Sequence, residues 1–127
     1  MDQDTSLFVQ AFWVKCREVI RLEIDSAISD VRSAGHHGQV STQEYTATAD
    51  GLPAHAGPSL TFALRPAGAR DGDAHPSLEF HGDVARQTVD ILTSDRYKTT
   101  YDIAVLGPLQ VRAELEDWLA RLAVSAP

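Results

Sequence analysis

Residues 7–33 run without glycine or proline, and their apolar positions recur at spacings of three and four, which predicts one long helix. On a wheel of about 100° per residue, Phe8, Val9, Phe12, Trp13, Cys16, Val19, Ile20, Ile24, Ala27 and Val31 fall in a band about 160° wide. Lys15, Arg17, Glu18, Arg21 and Asp25 hold the opposite side. Thr5 or Ser6 is placed to cap the start, and Gly35 suits a left-handed stop. At about 1.5 Å per residue such a helix spans about 40 Å, whereas a compact chain of this length has a radius of gyration of about 14 Å. It must overhang its own domain, bend, or pack on a second subunit.

Past the helix the period changes to two. Residues 39–49 are threonine-rich with neither alternate set cleanly apolar, as on an edge strand. Residues 50–58 read as loop. Leu60, Phe62 and Leu64 alternate with Thr61, Ala63 and Arg65, and Leu78 with Phe80 resumes that pattern after the breaker-rich segment 66–76. Gly82-Asp83 marks a turn or bulge, and residues 86–93 then place Val89 and Ile91 together. The segment 93–96 reads as a hairpin connection, and 97–106 returns with Tyr101, Ile103 and Val105 on one face. Gly107-Pro108 opens a last helix, because proline at the first helical position loses no hydrogen bond, and Val111, Leu115, Trp118, Leu119 and Leu122 form its buried stripe.

The resulting expectation is a single two-layer α+β domain over residues 1–127. It has a long N-terminal helix, an antiparallel meander of four to five strands and a C-terminal helix, both helices on one sheet face, since hairpin-length links forbid parallel crossovers. The other sheet face would carry Thr61, Arg65, Glu79, His81, Thr88, Asp90, Lys98, Thr100 and Asp102, which reads as solvated.

Charge narrows the function. The 127 residues carry a formal net charge of −7, with no run of more than two adjacent basic positions, so a phosphate-neutralising stripe is missing and neither nucleic acid nor an anionic membrane is an expected partner. No apolar stretch reaches the 18 or so residues of a spanning helix, and the acidic start lacks the positive region of a secretory signal, so the expected location is the cytoplasm. The single cysteine makes no internal disulfide; Cys16 sits mid-band and reads as a small core residue.

Motifs are absent: there is no phosphate loop, GxGxxG, GxSxG or HExxH. Asp71-Gly72-Asp73 has two acidic positions of a calcium loop without the rest, and reads as a polar turn. No metal or cofactor is therefore expected. His36 and His37 follow a helix end, where the dipole favours a cation; His55 and His75 lie in loops. His81 differs, because alternation puts it on the polar face with Glu79, Asp90 and Asp102, the types needed for acid–base work or a His/carboxylate metal site. The plainer alternative is a solvated face with cross-strand ion pairs; under either reading replacing His81 is expected to barely affect folding. Glu23 falls inside the apolar band near its edge and is read as exposed or paired.

Leu7, Val14 and Leu22 lie near 0°, 340° and 60° on the charged side of the first helix, an apolar strip where a solvent-facing helix should have none. A twofold dimer is the commonest way to bury one. The first expectation is thus a small non-catalytic interaction or accessory protein that homodimerises through its long helix and presents its sheet to a protein partner. The competing one is a small-molecule or metal-dependent enzyme using the polar sheet face, with His81 as base or ligand beside Glu79, Asp90 or Asp102. A third is an apolar-ligand carrier with a cavity near Phe12, Trp13 and Tyr101.

Overall fold

The computed structural model describes residues 3–46, 56–65, 68 and 75–122. The expected loops at 50–58 and 66–76, with Asp71-Gly72-Asp73 and His55, lie largely or wholly outside them. The long helix is present as α1 (Gln3–Lys15), a π-helical turn (Cys16–Ile20) and α2 (Arg21–Ser33) without interruption. Five strands follow: β1 (His37–Thr46), β2 (Gly57–Arg65), β3 (Ser77–Asp83), β4 (Thr88–Thr93) and β5 (Lys98–Asp102); α3 (Pro108–Arg121) closes the chain. The sheet is open and antiparallel in the order β1-β2-β3-β4-β5. Among the described residues no helix is long and apolar enough to cross a membrane.

The π turn answers a phase problem in the sequence. Phe8, Phe12, Cys16, Ile20 and Ile24 are all buried, yet a spacing of four in an α-helix advances about 40° per step, about 160° over the run. In the π turn the Arg21 N–H reaches back five residues to the Cys16 carbonyl, so one extra residue is absorbed and the phase falls back by about 100°. Ile24, Ala27 and Val31 then continue along the same buried face. Gly35, at φ 91°, ends the helix as expected, with the His36 N–H on the Val31 carbonyl at 2.9 Å. The start differs: α1 already includes Gln3, so Thr5 and Ser6 lie inside its first turns and not at the N-cap position.

Both helices pack on the sheet face bearing Leu60, Phe62, Leu64, Leu78, Phe80, Val89 and Ile91. Trp118 of α3 is fully buried and meets Phe62 edge to face at 5.5 Å. Gly82 sits within β3, not at a turn; a Cβ there would lie 3.1 Å from both Phe8 and Phe12, so the missing side chain admits the helix. The turn comes afterwards, where the Asp83 Oδ1 accepts the N–H groups of Ala85 and Arg86 at 3.1 Å and Gln87 takes φ 57°. The last strand is shorter than the alternation through Val105 implied. Asp102 stops it by accepting the Ala104 N–H on its carboxylate at 2.9 Å and the Val105 N–H on its carbonyl at 2.9 Å, which leaves Val105 exposed. Pro108 opens α3, and the Gln110 side chain accepts the Gly107 N–H at 3.1 Å.

Glu23, within the apolar band, is paired: Arg112 Nε donates to its Oε1 at 2.9 Å and Nη2 to its Oε2 at 3.4 Å, tying α2 to α3. Burial pushes the Cys16 thiol up to about 12, so it is inert as a nucleophile.

Two stability outcomes follow. Deleting the exposed Arg17 removes the extra residue and should leave the fold within about 1 kcal/mol of wild type, whereas deleting the exposed Ser26 swings Ala27 and Val31 about 100° off the core and should unfold the chain; denaturant titration with circular dichroism separates them. Leu115→Ala should cost about 2 to 5 kcal/mol by the same titration, since it empties a buried position between α3 and the sheet.

Candidate functional site

On the second sheet face, register decides which polar side chains meet. Ser59 pairs with His81, His81 with Asp90 and Asp90 with Thr100, one row across β2, β3, β4 and β5. The next row holds Thr61, Glu79, Leu92 and Lys98, and the row on the other side joins Asp83, Thr88 and Asp102. All four residues singled out in the sequence, His81, Glu79, Asp90 and Asp102, share this face. Only the first three are brought together: Asp102 lies two strands from His81 and is used in the turn after β5.

The expectation of a solvated face is corrected at its centre. His81 is 2% exposed, Asp90 5%, Ser59 2% and Asp83 2%. The polar types are right and the register is right, since Leu78 and Phe80 do point into the helix-side core, but polarity did not mean exposure. Buried polar groups persist where neighbouring strands satisfy them. Asp90 Oδ1 accepts the Thr100 hydroxyl at 2.7 Å, with Lys98 Nζ 3.9 Å from Oδ2. The hydroxyls of Ser59 and Thr46 share a hydrogen bond of 2.7 Å. His81 Nδ1 lies 3.7 Å from Glu79 Oε2. Each flanking side chain is thus bonded outward, Ser59 toward β1 and Asp90 toward β5. That pattern holds a row of polar groups in place, with the Ser59 hydroxyl bonded to Thr46 and the Glu79 carboxylate as the near neighbour of the imidazole. Among the described residues no three His, Cys, Asp or Glu side chains converge to hold a metal ion.

Ser59 escaped notice in the sequence because it had no distinguishing neighbours. Only the β2–β3 register, set across a long connection, puts it against His81.

The strip on the first helix is where alternation and periodicity placed it. Leu7 is 55% exposed, Val14 40% and Leu22 60%. The π turn improves its alignment: with one residue absorbed between Val14 and Leu22, their separation of eight acts as a heptad, and Leu7, Val14 and Leu22 drift by only about 20° per step. Beside it a groove of about 400 Å³ is lined by Ala11, Val14, Val19, Ile103 and Ala104, with Lys15 and Glu18 at its polar positions. Exposed Val105 follows in sequence, and exposed Leu109 lies in the first turn of α3. The contribution of the β5–α3 connection was not visible beforehand, because alternation assigned Ile103 and Val105 to the core. Val105 is exposed because Asp102 ends the strand; Ile103 remains half-buried against the core.

Replacing His81 by alanine should destabilise the chain by about 1 to 3 kcal/mol, by leaving a cavity and unpaired polar neighbours, while His37→Ala on the exposed start of β1 should stay within about 0.5 kcal/mol. Equal midpoints in a urea titration would return His81 to a solvated position. No family model matches this chain, nor does any curated protein or solved structure, so its function is read from these residues alone.

Proposed function

We propose that this chain is a small, non-catalytic interaction or accessory protein of the cytoplasm that homodimerises through the outer face of its long N-terminal helix and leaves its sheet side for a protein partner. The observation that carries this reading is the straight line of Leu7, Val14 and Leu22, exposed along one side of the helix and continued by the apolar groove under Ala11 and Ile103. A seam with a seven-residue repeat is the pattern that packs helix against helix, and a twofold axis lets one such seam cover its own copy. Lys15 and Glu18 also lie at the groove, and charged positions beside such a seam favour one register over others. The enzyme reading draws less support: its best residue, His81, is 2% exposed, and its cross-strand neighbours Ser59 and Asp90 bond to Thr46 and Thr100.

Native mass spectrometry of protein purified without chelator tests both. The expected spectrum is a dimer of unmodified chains at about 10 μM, well above the Kd of a stable interface. Leu22→Glu, at an exposed position, should shift it to monomer with an unchanged circular dichroism spectrum, because each substitution enters a twofold interface twice. A wild-type monomer, or a dimer indifferent to Leu22→Glu and Val14→Glu, overturns the reading. A stoichiometric metal or small-molecule adduct would favour the enzyme and make His81, Glu79 and Asp90 the first residues to replace.

A further inference from the structure

The apolar strip on the first helix is interrupted twice, and the two interruptions differ. Gln10 stands between Leu7 and Val14, and Glu18 stands between Val14 and Leu22; both are exposed. Each lies four residues from Val14, a step that turns about 40° in an α-helix and less where the π turn takes up part of it. Both therefore fall within about 40° of Val14, on the line of the strip. That outer line reads Leu7, Gln10, Val14, Glu18, Leu22, with apolar and polar positions alternating symmetrically about Val14. Leu7 and Leu22 stand at nearly equal distances from this centre, about 10 Å, because the step to Leu22 loses one residue to the π turn and acts as the step to Leu7.

A twofold pair can lay this line against its own copy in two directions, and charge separates them. In a parallel pair every residue meets itself, so the Glu18 carboxylates of the two copies stand face to face and repel. In an antiparallel pair with the axis at Val14, each residue meets the one at the opposite distance from the centre. Leu7 then covers Leu22 of the second copy, and Val14 meets Val14. Gln10, whose amide has two N–H donors, faces Glu18, whose ionised carboxylate only accepts. Twofold symmetry makes each of the outer contacts twice. Within its own chain the Glu18 Oε1 has Arg17 Nη2 at 3.9 Å, too long for a hydrogen bond, with both side chains exposed.

We propose that two copies of this chain pair antiparallel along this line, with the twofold axis at Val14 and the Gln10 amide of each copy donating to the Glu18 carboxylate of the other. The inference rests on the dimer proposed above and adds its direction and its polar contact. Leucine packing supplies the area, while the Gln10–Glu18 contact rejects the parallel arrangement, as polar positions in helical seams do.

Single cysteines on the line test the direction, because the native Cys16 is buried and does not compete. Val14→Cys should cross-link to its own copy on mild oxidation, and Leu7→Cys should cross-link with Leu22→Cys when the two variants are mixed. Leu7→Cys alone and Leu22→Cys alone should not, since their thiols lie about 20 Å apart across the axis. Gln10→Lys reads the polar contact: an ammonium facing Glu18 of the other copy, twice per dimer, should lower the dimer Kd about fivefold in sedimentation equilibrium. In a parallel pair the same substitution sets two ammonium groups against each other and raises the Kd. Leu7→Cys or Leu22→Cys cross-linking to its own copy as readily as Val14→Cys, or a raised Kd for Gln10→Lys, overturns the antiparallel pairing and leaves the dimer standing. A wild-type chain that stays monomeric overturns both.

Discussion

The fold depends on keeping one face of a continuous helix of α1, π turn and α2 against the sheet. A straight α-helix cannot do this for a buried run spaced by fours, because each step turns the stripe about 40° away from its partner. The wider turn at Cys16–Ile20 resets the phase once, near the middle, where the error would otherwise carry Ile24 and Val31 off the sheet. The same reset serves the opposite side: it brings Leu22 into line with Leu7 and Val14. One local change in hydrogen bonding therefore fixes both what the helix buries and what it offers.

Around that helix the molecule is built from near contacts that small residues permit. Gly82 lets Phe8 and Phe12 approach β3, and a Cβ on Gly57 would fall 2.0 Å from the Gly82 carbonyl oxygen, so β2 and β3 close tightly at that end. On the far side Trp118 locks α3 over Phe62. Ion pairs act as outer ties: Glu23 with Arg112 between the helices, and Asp95 with Arg121 between the β4–β5 hairpin and α3. Exposed pairs of this kind contribute little each to stability.

The second sheet face shows the limit of a polarity pattern. Alternation placed Glu79, His81, Asp90 and Asp102 on one side correctly, because side-chain direction in a strand follows from chain geometry alone. It could not tell that His81 and Asp90 are buried, nor that Ser59 stands against His81 while Asp102 does not. Those facts depend on strand register across connections whose length the local pattern leaves free.

What the sequence by itself determined is the class and order of elements, the inner faces of both helices and of the strands, the stop at Gly35 and the start at Pro108, because each follows from periodicity or from the allowed backbone angles of one or two residues. The apolar strip of Leu7, Val14 and Leu22 was legible for the same reason. What only the tertiary structure decided is the π turn and the burial of the Ser59–His81–Asp90 row. Each of these is a compromise between elements distant in the chain, where the packing of one surface sets the conformation or the environment of another, and no local pattern of residues encodes the partner.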